Sequence, residues 1–126
     1  MRDIFYETVI DTAIIVDALA GRREAQAELQ RVARPSVSRI TWLEVIAGAP
    51  AEARAETEVF LSCFLLREIS AEIARRAADL RFHRPSLSLC DALVFATAQE
   101  HGAILVTRNT KDFPAQMPGI RIPYTL

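Results

Sequence analysis

The run Phe5-Tyr-Glu-Thr-Val-Ile-Asp11-Thr-Ala-Ile-Ile-Val-Asp17-Ala-Leu19-Ala-Gly21 decides how the rest of the chain is read. Its first part alternates loosely and closes on Val9-Ile10, the pattern of a short buried strand that delivers Asp11 at its carboxyl end. The period then changes. Thr12 is placed to cap a helix whose apolar face is Ile14, Ile15, Ala18 and Leu19, and Gly21 is placed to stop it in the left-handed conformation. Asp17 lies on that helix beyond the junction and reads as a solvated acid.

Working outward, Arg22 to Ala33 reads as a more polar helix with Ala25, Leu29, Val32 and Ala33 inward, ended by Pro35. Ser36-Val37-Ser38 is a brief strand, and Thr41 is placed to cap a helix carrying Leu43, Val45 and Ile46 up to Gly48. A helix rich in Ala and Glu follows from Ala51 to Phe64, then a strand at Leu65 to Ile69 and a helix from Ala71 to Phe82. After the break at Pro85 and a loop at Ser86 to Ser88, the most hydrophobic helix runs from Leu89 to Ala98 and stops at His101-Gly102. Ala103 to Thr107 is a buried strand, and Ile120 to Ile122 is a shorter edge strand bounded by Gly119 and Pro123. Strands separated by helices imply crossover units. The expected fold is therefore α/β, a mainly parallel sheet of four to five short strands with helices on both faces. In such sheets ligands bind outside the carboxyl ends of the strands, where the strand order reverses.

Length and composition bound the function. The 126 residues make one domain, with 51% hydrophobic and 25% charged residues, the profile of a globular protein with its own core. A formal net charge of -1 gives no overall positive field, so any nucleic acid must be held by local contacts. Cys63 and Cys90 are too few for a disulfide framework and match no zinc-ligand spacing, and Cys90 reads as a core residue. Acids among the first residues argue against an export signal, and no stretch approaches the ~18 uncharged apolar residues of a membrane span. A reducing cytoplasm is the expected setting.

The chemistry lies in acids set against apolar runs. Asp11 closes one, Glu44 lies within Thr41-Trp-Leu-Glu44-Val-Ile, Asp91 opens Cys90-Asp91-Ala-Leu-Val-Phe, and Asp112 precedes Phe113. A carboxylate that leaves water loses several kcal/mol of hydration unless donors or a cation replace it. Gathered at one rim, these acids would form a site for a hard divalent ion, which can acidify water for in-line attack on phosphorus. Local alternatives stand beside this. Glu44 can close a capping box with Thr41, Asp91 can cap its own helix, and Thr107 can be an ordinary β-branched strand end. His83 and His101 sit near helix ends and read as structural. Cys90 has no histidine partner to make it a nucleophile.

Four runs together resemble the PIN-domain ribonucleases, in particular the VapC-type toxins of bacterial toxin and antitoxin pairs. They are Val9-Ile-Asp11-Thr-Ala-Ile-Ile-Val-Asp17, Ser38-Arg-Ile-Thr-Trp-Leu-Glu44-Val-Ile-Ala-Gly48, Leu89-Cys-Asp91-Ala-Leu-Val-Phe-Ala-Thr-Ala98 and Ala103-Ile-Leu-Val-Thr107-Arg-Asn109-Thr-Lys-Asp112-Phe113. The resemblance spans almost the whole chain. It implies a single three-layer PIN-like domain over residues 1–126, an endoribonuclease using Mg²⁺ or Mn²⁺, silenced by a cognate antitoxin and commonly dimeric. Asp11, Glu44 and Asp91 match the first three family acids. In the last run Asn109 stands at the first acidic place, offering a carbonyl oxygen without charge, and Asp112 at the second. Ala13 replaces a small polar residue, and Thr107 can serve as an orienting hydroxyl. Arg39, Arg84, Arg108 and Lys111 flank the acidic runs and are candidate phosphate contacts.

Rival functions differ in what they need. A catalytically weakened module, acting through antitoxin or RNA binding, is motivated by Asn109 and Ala13. An aspartyl-phosphatase would want a second Asp at position 13, which is Ala13. A nucleotide triphosphatase would want a Gly-rich phosphate loop, and none occurs.

Overall fold

The computed structural model describes residues 2–126. Strands β1 (Ile4–Ile10), β2 (Val32–Ser38), β3 (Leu65–Arg67), β4 (Ile104–Val106) and β5 (Ile120–Arg121) form one parallel sheet in the order β3-β2-β1-β4-β5. Helices α1 (Thr12–Leu19), α2 (Arg23–Arg31), α3 (Arg39–Gly48), α4 (Arg54–Leu61), α5 (Ala71–His83) and α6 (Leu89–Glu100) connect them. The α/β sandwich of parallel sheet and flanking helices is the one expected.

Side chains alternate across a strand, so neighbouring strand residues feed opposite cores. Val9 and Leu105 pack with Ile73, Ala77, Phe95 and Phe113 on the α5–α6 face. Ile10 and Val106 pack with Ile14, Ile15, Val45, Ile46 and Leu61 on the other. Both cores meet at the sheet. The chain runs from β1 to β2 and β3 on one side, then returns to β4 and β5 on the other, so the order reverses between β1 and β4. That reversal opens a crevice at the carboxyl ends of these two strands, and Asp11 N donates to Val106 O across it at 2.9 Å.

Several boundaries differ from the sequence reading. The helix read over Arg22 to Ala33 ends at Arg31, because Val32 pairs with Ile4 and is wholly buried, and sheet pairing outweighs helical spacing. Pro35 consequently lies inside β2, one residue before β3 begins to pair, where an open outer side tolerates a missing N–H. The segment read as one helix from Ala51 to Phe64 is a 3₁₀ turn, Ala51–Ala53, followed by α4. It stops early because the chain must turn back into β3, with the Phe60 and Phe64 rings packed at a tilt, centroids 5.4 Å apart, at the corner. Gly21 takes φ +87° after α1, the left-handed stop that its position called for.

Candidate functional site

Asp11 follows the last residue of β1 and caps α1. Its Oδ1 accepts from Thr12 N at 2.8 Å and its Oδ2 accepts from the Thr107 hydroxyl at 2.7 Å, so Asp11, and not Thr12, is the cap. Thr107 follows β4 and is fully buried, which makes it an orienting hydroxyl for this carboxylate. Asp11 is only 6% exposed. Burial pushes its pKa up, and the charges of Asp91 and Glu44 add to that against the opposing bonds from Thr107 and Thr12.

Glu44 does not belong to a capping box. Ser38 caps α3 by accepting from Ile40 N, and Thr41 is buried within the helix, leaving Glu44 further along it. The Thr12 hydroxyl instead donates to Glu44 Oε1 at 2.8 Å and lies 3.0 Å from Thr41 Oγ1. Asp91 is not a helix cap either. Ser88 caps α6 by accepting from Asp91 N at 3.0 Å, which leaves the Asp91 carboxylate half-buried in the first turn. Burial raises its pKa, and the negative charges of Asp112 and Glu44 raise it further against the lowering Ser88 bond.

These acids surround one pocket of about 360 Å³ whose lining includes Asp11, Glu44, Cys90, Asp91, Arg108 and Asn109. A larger cleft, about 620 Å³, opens beside it and shares Val16 and Glu44 with it. Cys90 is a correction to the core reading. It is half-buried at the pocket beside Glu44, and burial followed by the nearby Glu44 carboxylate pushes its thiol up to about 11. A thiol so disfavoured as thiolate is no nucleophile.

Asn109 and Asp112 form a turn. Asn109 Nδ2 donates to Asp112 Oδ2 at 3.0 Å, and Asp112 N donates to Asn109 Oδ1 at 3.3 Å. Asn109 faces the pocket, and Asp112 stands behind it within reach of Asp91 by charge. Arg84 donates to Asp112 O at 2.6 Å and lies over the Phe113 ring, bracing this turn. Arg39 is paired with Glu68 and stacked on Trp42, outside the pocket lining. His83 Nδ1 lies 2.9 Å from Asp79 O, and His101 ends α6, both in structural places.

Asp17 is the second correction. Only 8% exposed, it accepts from Arg108 Nε at 2.8 Å and from Tyr124 OH at 2.6 Å. Its i+3 spacing from Ile14 on a buried face was the signal that marked it as inward. Nothing local in the sequence marks Tyr124.

Among the described residues, no ion pair involves Asp11, Glu44, Asp91 or Asp112. Nor do three acidic, His or Cys groups stand among them already gathered at metal-ligating spacing. The donor set nevertheless fits a hard divalent ion: carboxylate oxygens of like charge, with no cation paired to them among the described residues, around one pocket.

Residues 8–116 match the family model of the PIN domain. The chain belongs to the PIN-domain family. A chain of a toxin-antitoxin complex from Klebsiella pneumoniae is 42% identical and superposes with a TM-score of 0.86 over 94% of this chain and 99% of that one. More distant likenesses bear on the fold alone. DNA-bound VapBC from Salmonella typhimurium is 24% identical at a TM-score of 0.72, covering 93% of this chain and 96% of that one. FitAcB from Neisseria gonorrhoeae is 20% identical at 0.74, covering 94% and 99%. No curated protein sequence matches the chain. No helix among the described residues is long and apolar enough to cross a membrane.

Proposed function

We propose that this chain is the toxin of a toxin-antitoxin pair, a cytoplasmic endoribonuclease using Mg²⁺ or Mn²⁺. The observation that carries the reading is that, among the described residues, no arginine or lysine is paired to Asp11, Glu44 or Asp91 around one pocket. Asp11, Glu44 and Asp91 would hold the ion, with Asn109 or Asp112 completing the site. The ion, when bound, supplies the charge that offsets these acids, a more acidic water and support for the departing oxygen. The protein's part is positioning. Thr107 and Thr12 fix Asp11, Thr12 fixes Glu44, and Asp112 holds Asn109 to the pocket. Arg108, Arg84 and Arg39 are the candidate contacts to RNA, whereas Thr107, read from the sequence as a substrate contact too, is fully buried and acts by orienting Asp11.

The antitoxin partner is supported by the Klebsiella relative, which comes from a toxin-antitoxin complex, and by the apolar cleft beside the site lined by Val16, Leu19, Val45 and Pro50. A homodimer belongs to the same proposal and is checked by light scattering. The deciding assay incubates purified, antitoxin-free protein with total RNA. Cleavage with Mg²⁺ or Mn²⁺ that EDTA abolishes is expected. Intact RNA together with no Mn²⁺ binding by calorimetry would sink the enzyme and leave the weakened binding module.

A further inference from the structure

The pocket of carboxylates would repel the phosphates of its own substrate, and among the described residues lining it Arg108 is the only basic one. Its placement is unusually determined. Arg108 follows Thr107, whose hydroxyl holds Asp11, and precedes Asn109. Its Nε and Nη2 donate to Asp17 at 2.8 and 3.3 Å, and the same Asp17 Oδ2 accepts from Tyr124 OH at 2.6 Å. Asp17 comes from α1 and Tyr124 from the segment after β5, so remote stretches converge on one guanidinium.

A surface arginine needs no such support. A guanidinium carries five N–H donors in a rigid fork, so the bonds to Asp17 leave the Nη1 edge unused while fixing its plane. Side-chain freedom already lost in the free protein is not lost again on binding an anion. Asp17 is therefore a buried acid whose bonds point at the site.

We propose that Asp17 and Tyr124 are positioning residues that hold Arg108 as a phosphate-binding arginine at the lip of the acidic pocket. There it takes a phosphodiester of single-stranded RNA adjoining the reacting one. The inference rests on the nuclease reading for its ligand and on the clamp geometry for its residues.

The test measures binding of a short single-stranded RNA by fluorescence anisotropy, with Ca²⁺ in place of Mg²⁺, across a salt series. Arg108→Gln should weaken binding about tenfold, as for loss of a charged hydrogen bond. It should also flatten the log-log salt slope by about 0.7, the change expected when one phosphate of a single strand is no longer neutralised. Tyr124→Phe and Asp17→Asn should weaken binding by a smaller factor and raise KM more than they lower kcat. In an Arg108→Gln background neither should add anything, because both act through Arg108. Arg108→Lys should recover the slope but not the affinity. Wild-type affinity and slope in Tyr124→Phe and Asp17→Asn, or effects that add to those of Arg108→Gln, would overturn the clamp. Should Asp17→Asn fail to fold, Tyr124→Phe decides alone, since it removes one hydroxyl and keeps the ring. RNA that binds with these slopes yet is never cut supports the clamp and sinks the nuclease reading.

Discussion

Two sets of buried acids in this protein are treated in opposite ways. Glu7, Asp17 and Glu28 are each 8% exposed or less, and each is matched by an arginine: Arg67, Arg108 and Arg121. Asp11, buried as deeply, meets only hydroxyl and amide donors and other acids. The pKa directions of Glu7 and Asp17, both downward, part from those of Asp11 and Asp91, both upward. For Glu7, burial raises the pKa, but bonds from Arg67 and Ser36 and the Arg67 charge outweigh it and the net movement is downward. For Asp11 and Asp91, burial and neighbouring acids win. A fold that can supply arginines to three buried acids and, among the described residues, pairs none with Asp11, Glu44 or Asp91 has left that charge for something else to meet.

The sharpest way to break this contrast is activity. Asp11→Asn and Asp91→Asn should each lower RNA cleavage by at least roughly 10²-fold while far-UV circular dichroism stays unchanged. Full activity in either would end the assignment. Stability should move the other way. Glu7→Gln leaves the Arg67 charge without its partner and should cost about 2 kcal/mol in urea unfolding. Asp11→Asn should cost nothing or raise the midpoint, because it removes an uncompensated charge. Equal losses in both would erase the distinction.

Mn²⁺ sharpens it further. Saturating ion should stabilise the wild type by about 2.7 kcal/mol at a hundredfold excess over Kd, read as a rise in Tm, and Glu44→Gln should remove most of that rise. An unchanged rise would return Glu44 to a structural role. Acid provides a gentler probe. Because the folded pKa of Glu7 lies below its ordinary 4.5, its contribution is fully present above that value and is lost as pH falls through the folded one. Wild-type stability should therefore fall more steeply below pH 4.5 than that of Glu7→Gln. Parallel curves would deny the ion pair its role. The smallest effect is expected at Thr12→Val, where loss of the bond to Glu44 should weaken Mn²⁺ binding about fivefold.

What was legible in the sequence was local. The strand before Asp11, the glycine stop at Gly21 and the helix opening near Asp91 follow from periodicity and turn chemistry over a few residues, and they appear in the structure. Where a long-range partner decided, local spacing misled: Val32 and Ala33 kept a helical rhythm but joined the sheet through Ile4. Ser38 and Ser88 took the capping roles offered to Thr41 and Asp91, because each stands at the true point where the backbone turns helical.

The sequence by itself determined the alternation of strand and helix and the positions of the acids along the chain, because hydrophobic period and backbone preference act between near neighbours. Only the tertiary structure decided which acids receive an arginine. Charge pairing acts through space, and Glu7 with Arg67, Glu28 with Arg121 and Asp17 with Arg108 and Tyr124 are joined by strand order and not by spacing. The same strand order brings Thr107 to Asp11 and leaves Glu44 and Asp91 facing it across a pocket, with no counter-charge paired to them among the described residues.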